Sequence, residues 1–147
     1  MTPPVFVVDT NVIVSALIGS DSKAPPAQIL DAMLDGRLLY LMSGDLLTEY
    51  ASVLRRPRLV RLHGRSEEEI DRLLAELTAN AIWRKAPAGD TAAGDVAPDA
   101  GDNHLWALLA SWPGTRLVTG DRLLVENAAA GRRVLTPRDF MNLHRSR

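Results

Sequence analysis

Apolar residues along the chain fall into two rhythms, short unbroken runs and helical stripes. Val5–Val8 is an unbroken run rich in β-branched residues, the pattern of a strand buried on both faces. A helix is expected from Asn11 to about Ile18, with Val12, Ile13, Ala16 and Leu17 at helical spacing. Pro25-Pro26 opens a second helix through Ala27, Ile29, Leu30, Met33 and Leu34, which Gly36 ends. Leu38–Met42 reads as a second buried strand. Ser43 or Asp45 can cap the next helix, which runs to about Arg55 before Pro57 breaks it. Ser66-Glu67-Glu68-Glu69 is a capping box, in which Ser66 and Glu69 satisfy each other's free backbone donors. Ile70, Leu73, Leu74 and Leu77 then mark one helical face, and Ala81-Ile82-Trp83 reads as a short third strand. Farther on, the pattern predicts a helix from Asp102 to about Ser111, a strand over Arg116–Thr119 and a helix over Leu123–Ala130. A short strand at Val134-Leu135 follows, then a terminal helix opened by Thr136-Pro137 and carrying Phe140, Met141 and Leu143.

Strands alternating with helices argue for an α/β fold whose parallel sheet is covered on both faces. Residues 86–101, rich in Ala, Gly, Pro and Asp, have no apolar periodicity. They read as a loop inside one domain over residues 1–147, because the stretch beyond them is too short to fold alone. A hydrophobic content of 46% and a charged content of 24% are those of a soluble globular chain. The formal net charge of −1 supplies no overall basic field, which argues against a simple cationic nucleic-acid binder. It leaves room for an enzyme that reaches phosphate through a metal. With no cysteine, disulfides, thiolate zinc sites and cysteine nucleophiles are excluded. No apolar run approaches the ~18 residues of a membrane span, and the first residues carry no basic segment, so a cytoplasmic location is expected.

Four carboxylates stand out against this frame. Asp9 ends the run Val5–Val8 and opens Asp9-Thr10-Asn11. An acid at the end of a buried strand is costly unless paired, hydrogen-bonded or metal-bound, and the competing reading is an N-cap for the helix that follows. Asn11 could orient it or touch substrate. Glu49 falls ~160° from Leu47 on a helix whose stripe is read as Leu47, Tyr50, Ala51 and Leu54, so a solvated surface glutamate is its plain alternative. Asp99 and Asp102 frame Pro98–Asp102, where either could instead cap the next helix; His104 follows within that helix, where packing is the commoner role. Asp121 follows Leu117-Val118-Thr119 across Gly120, and a turn or cap role competes with a functional one. Thr119 could bond a carboxylate or a water. In a parallel sheet ligands gather beyond the carboxyl ends of the strands, where Asp9 and Asp121 both fall. Carboxylates with spare water positions suit Mg2+ or Mn2+.

The same segments resemble the PIN-domain ribonucleases. Val7-Val8-Asp9-Thr10-Asn11-Val12 is similar to the opening of that family. Ser43–Leu54 resembles its second acidic segment, with the Arg56-Pro57 often seen next. Pro98–Asn103 is similar to the third, and Leu117–Asp121 to the fourth. The likeness runs from about residue 5 to about residue 143, and four short motifs in the right order are specific together. It is nearest to the VapC-like toxin components of toxin–antitoxin systems. The resemblance implies a three-layer α/β/α sandwich with a central parallel sheet and a Mg2+- or Mn2+-dependent ribonuclease site. Asp9, Glu49, Asp102 and Asp121 would be its acidic quartet; Thr10, Asn11, Thr119 and Asp99 would support it. Two departures stand out. Ala100-Gly101 replaces the Pro-Asp common between the third-segment acids, which leaves open whether Asp99 joins the site. Arg122-Leu123-Leu124 stands where Lys-Asp-Leu is more usual.

The expected chemistry is metal-assisted hydrolysis of single-stranded RNA, with a 5′-phosphate and a 3′-hydroxyl as products. Arg55, Arg56, Arg58, Arg61 and Arg65 offer local positive charge to the RNA, or form a solvated helix end. A toxin would be paired with a small antitoxin protein, and a homodimer would align two sites. The rival readings are a non-catalytic PIN-like module that binds RNA or protein, and a haloacid-dehalogenase-like phosphatase with Asp9 as nucleophile. The phosphatase needs a second Asp two residues on, where this chain has Asn11. A response-regulator receiver lacks its acidic pair and its central phospho-acceptor here.

Overall fold

The structure is a computed structural model that describes residues 3–85, 103–126 and 134–145. Strand β1 (Phe6–Val8) follows the first apolar run and is buried throughout. It leads at Asp9 into helix α1 (Thr10–Ile18), and helix α2 (Pro25–Leu34) starts on the expected proline pair. Strand β2 (Leu41–Met42) passes through Ser43 into helix α3 (Gly44–Leu54). Ser43 is the N-cap, its Oγ accepting from Leu46 N at 3.1 Å. Helices α4 (Pro57–His63) and α5 (Glu67–Ala79) precede strand β3 (Ile82–Trp83). The chain continues with helix α6 (Asn103–Ala110), strand β4 (Arg116–Val118), helix α7 (Arg122–Glu126), strand β5 (Val134–Leu135) and helix α8 (Pro137–Arg145).

All strand pairings are parallel. β1 pairs with β4 (Phe6 with Arg116, Val8 with Val118), and β4 with β5 (Leu117 with Val134). β2 pairs with β3 (Leu41 with Ile82, Met42 with Trp83). A single bridge between Phe6 and Tyr40, with Phe6 N donating to Leu39 O at 3.0 Å, joins the two sheets into the order β3-β2-β1-β4-β5. The chain builds outward from β1 to one side, then crosses to the other side for β4. The carboxyl ends of β1 and β4 therefore flank the point where strand order reverses, the usual ligand crevice of an open parallel sheet.

Two expectations need correction. The run Leu38–Met42 pairs as strand only from Tyr40 onward, and Leu39 is partly exposed. More consequentially, Pro57 starts a helix as well as ending one. Its missing N–H is harmless at a first helical turn, so α4 begins at Pro57 directly after the Arg56 N-cap. Gly64, at φ 66°, closes α4 in the left-handed conformation that glycine adopts without strain.

The core runs continuously from β1 and β4 to the buried stripes of α2, α3, α5 and α6. α8 is seated by Phe140, whose ring meets Phe6 edge-on at 4.9 Å between centroids. His63 joins α4 to α3. Its Nε2 lies 2.9 Å from Leu54 O and its Nδ1 accepts from Arg65 N at 2.9 Å, a pairing that requires the Nε2–H tautomer. Arg55 joins α3 to α5 by reaching both Glu67 and Asp71. The capping box at Ser66 and Glu69 forms as expected, with both reciprocal bonds present. Among the described residues, no helix is long and apolar enough to cross a membrane.

Tyr40 secures α5 to the sheet. Its ring is fully buried and its hydroxyl donates to Leu77 O at 2.6 Å, one of the last-turn carbonyls that a helix leaves unpaired. Burial pushes its phenol up to about 12. Tyr40→Phe is expected to destabilise the protein by about 1 kcal/mol, read as a lower urea midpoint with an unchanged slope. An unchanged midpoint would mean that the bond contributes nothing net.

Candidate active site at the carboxyl edge of the sheet

Asp9 stands where β1 becomes α1, and the structure shows both the expected helix cap and hydrogen bonds to the buried acid. It is the N-cap of α1, with Oδ1 accepting from Thr10 N at 2.8 Å. It is also pinned to the neighbouring strand, because its backbone N donates to Val118 O at 2.9 Å. Oδ2 accepts from Thr119 Oγ1 at 2.8 Å and from Asn11 Nδ2 at 3.2 Å. Only 4% of Asp9 is exposed, and Thr119 is wholly buried. The network continues outward. Asn11 Oδ1 accepts from Gly120 N at 2.8 Å, and Thr119 Oγ1 accepts from Asp121 N at 3.0 Å. Asn11 and Thr119, both anticipated as supporting residues, thus tie the end of β1 to the turn that carries Asp121.

The electrostatics show which acids converge. Burial raises the Asp9 carboxyl above its usual range, the Thr119 bond opposes this, and the negative charges of Glu49 and Asp121 push it up again. Glu49 and Asp121 are thus the acids near enough for their charge to act on Asp9. Asp99 and Asp102 lie outside the described residues.

Glu49 reaches the site because the apolar stripe of α3 is centred on Leu46, Tyr50 and Leu54 rather than on Leu47. By the 100°-per-residue count Glu49 then lies roughly 60° from Leu46, at the margin of the buried face. Its side chain is 31% exposed, and Oε2 lies 3.0 Å from His104 Nε2 on α6. Oε2 is itself buried and has no aligned hydrogen-bond donor. His104, at 16% exposure, is the site residue that the sequence undervalued. Its partner lies on another helix, and nothing local signals the pairing. The neighbouring Tyr50 is fully buried and its hydroxyl donates to Val8 O, the carbonyl just before Asp9. Burial, then the charge of Asp9, pushes the Tyr50 phenol far up, so it stays a donor.

The arginines divide. Arg55 is engaged with Glu67 and Asp71, and Arg65 lies 3.8 Å from Glu69. Arg56, Arg58 and Arg61 are exposed and make no ion pair among the described residues. Thr10 is buried, and its hydroxyl has no hydrogen-bond partner there.

A hard divalent cation suits the donors in kind. All are carboxylate oxygens, Asp9 is destabilised by its acidic neighbours, and Glu49 keeps a buried oxygen without an aligned donor. Among the described residues, no three acidic or histidine side chains close into a metal-holding group.

The site stands at the carboxyl edge of a parallel α/β sheet, where strand order reverses. Comparison with protein families matches the PIN domain over residues 5–123, and the chain belongs to that family. PIN domains are typically nucleases and usually bind divalent metal ions. No curated protein matches the chain.

Asp9 also sets a pH dependence. A folded-state value above the ordinary 3.8 means that the folded protein holds this proton more tightly than the unfolded chain. The stability linked to Asp9 is therefore full at low pH and is lost as pH rises through the raised value. In chelator, wild type should lose stability relative to Asp9→Asn as pH rises from the ordinary 3.8 through the raised folded-state value. Thermal unfolding of both proteins across that range checks this; a constant difference would mean an unshifted carboxyl.

Proposed function

We propose that this chain is a Mg2+- or Mn2+-dependent endoribonuclease, a single domain over residues 1–147 in the three-layer α/β/α form, acting as a VapC-like toxin. The observation that carries the reading is the buried Asp9 carboxylate at the switch point, held by Thr119 and Asn11 and pressed by the charges of Glu49 and Asp121. Repelling acids in a crevice are a poor structural device and a good cation site. Asp9, Asp121, Glu49 and Asp102 would hold the metal, with Asp99 in a supporting role. A bound divalent cation supplies an activated water and neutralises charge building on the phosphate.

The chain's own residues do the rest. Thr119 and Asn11 fix Asp9 Oδ2 in one orientation, and Thr10 N fixes Oδ1. Glu49 Oε1, which makes no hydrogen bond among the described residues, accepts from the attacking water and aligns it with the scissile phosphate. Hydrolysis leaves a 5′-phosphate and a 3′-hydroxyl. Single-stranded RNA approaches over Arg56, Arg58 and Arg61; Arg55, engaged in its ion pairs, serves that path less. A small antitoxin would silence the toxin by covering the crevice, and a homodimer would set two crevices side by side.

Wild type should cleave defined RNAs with Mg2+ or Mn2+ and lose the activity in EDTA. Asp9→Asn and Asp121→Asn should each lower it by about 100-fold or more while circular dichroism stays native. Activity that survives both changes would assign the cleavage to other residues or to a contaminant. RNA binding without cleavage by wild type would favour a non-catalytic module. The toxin reading expects growth arrest when wild type, but not Asp9→Asn, is expressed.

A further inference from the structure

The nuclease reading gives roles to the acids and leaves His104 without one. We infer that His104 is a positioning residue that holds the Glu49 side chain by its Oε2 oxygen and leaves Oε1 to meet the attacking water; the inference rests on the nuclease reading above.

Three observations carry it. His104 Nε2 lies 3.0 Å from Glu49 Oε2, and the two come from different helices, α6 and α3. Both side chains are largely withdrawn from solvent, at 16% and 31% exposure, so their attraction is screened less than that of a surface pair. Oε2 is buried and no donor is aligned on it, His104 Nε2 at 3.0 Å included, so that close approach is what offsets the desolvation of this oxygen. A glutamate has three rotatable bonds and would otherwise swing away from Asp9, whose charge repels it. The imidazole, planar and held within α6 beside the buried Leu105 and Trp106, has far less freedom. It acts through Glu49 and touches no reacting atom.

The pairing also couples two segments of the site. His104 stands in the first turn of α6 and Glu49 in the middle of α3, so the contact ties the start of one helix to the body of the other. Hydrophobic packing of α6 could hold the helices together, but it would not fix the rotation of one carboxylate.

A double-mutant cycle on the full chain tests the inference, using His104→Leu, which keeps bulk and removes the donor, and Glu49→Gln. His104→Leu should lower kcat by about tenfold or more on saturating RNA and leave KM within about twofold. In the Glu49→Gln background it should cost nothing further. His104→Gln, whose amide can still donate toward Oε2, should recover most of the rate. If His104→Leu does not fold, His104→Asn, too short to reach Oε2, takes its place in the cycle. Equal losses in both backgrounds, a change confined to KM, or no recovery with His104→Gln would overturn the inference. A second readout needs no activity. In EDTA, each single change should lower the melting temperature, and the double change should fall well short of their sum. Additive melting shifts would overturn the pairing even if cleavage is normal. If wild type fails to cleave RNA, the nuclease reading falls alone, and the melting cycle still decides whether His104 holds Glu49.

Discussion

Asp9 is a carboxylate taken out of water at the end of a buried strand, and much of the molecule is arranged around making that tolerable. Removing such a charge from solvent costs several kcal/mol unless hydrogen bonds compensate. Three donors do so here: the backbone N–H of Thr10, the Asn11 amide and the Thr119 hydroxyl. They come from both strands that flank the switch point, so satisfying one carboxylate also locks β1 against β4. Compensation is incomplete, because burial and two neighbouring acids still raise the Asp9 carboxyl. The proposed cation site rests on that raised carboxyl and on the two acids that act on it.

The second constraint is delivered by α3. β2 passes through the Ser43 cap directly into that helix, which fixes its start, and the burial of Leu46, Tyr50 and Leu54 sets its rotation. Adjacent residues then take different tasks. Tyr50 turns into the core and bonds the carbonyl before Asp9, while Glu49, a third of a turn away, reaches the crevice margin and meets His104. One turn farther on, Arg55 ties the helix to α5. The arginines left without ion pairs sit on α4 and at its start, on an element packed against both α1 and α3.

Local reasoning from the sequence located the strands, the Ser43 cap and the Ser66–Glu69 box, because each depends on neighbours a few positions apart. It missed α4, because Pro57 carries two opposite messages, stop and start, and only the chain after it decides which applies. It placed Glu49 at the border of the apolar face, where the structure has it, but centred the stripe on Leu47; Leu46 and Leu47 are both apolar, and only the packing of α3 selects Leu46. His104 was discounted for a related reason, since a histidine inside an apolar helix carries no local mark of the acid it will face.

The strands, most of the helices and the parallel character of the sheet were therefore legible in the sequence itself, through periodicity, capping chemistry and turn residues, whereas the acidic quartet came from the family resemblance. Tertiary structure alone decided that the charges of Glu49 and Asp121 act on Asp9, that Thr119 and Asn11 join the ends of β1 and β4, and that His104 meets Glu49. The physical reason is range. Backbone preference and helix capping act across a few residues, whereas the register of Val8 against Val118 and the rotation of α3 are set by burial summed over the whole core.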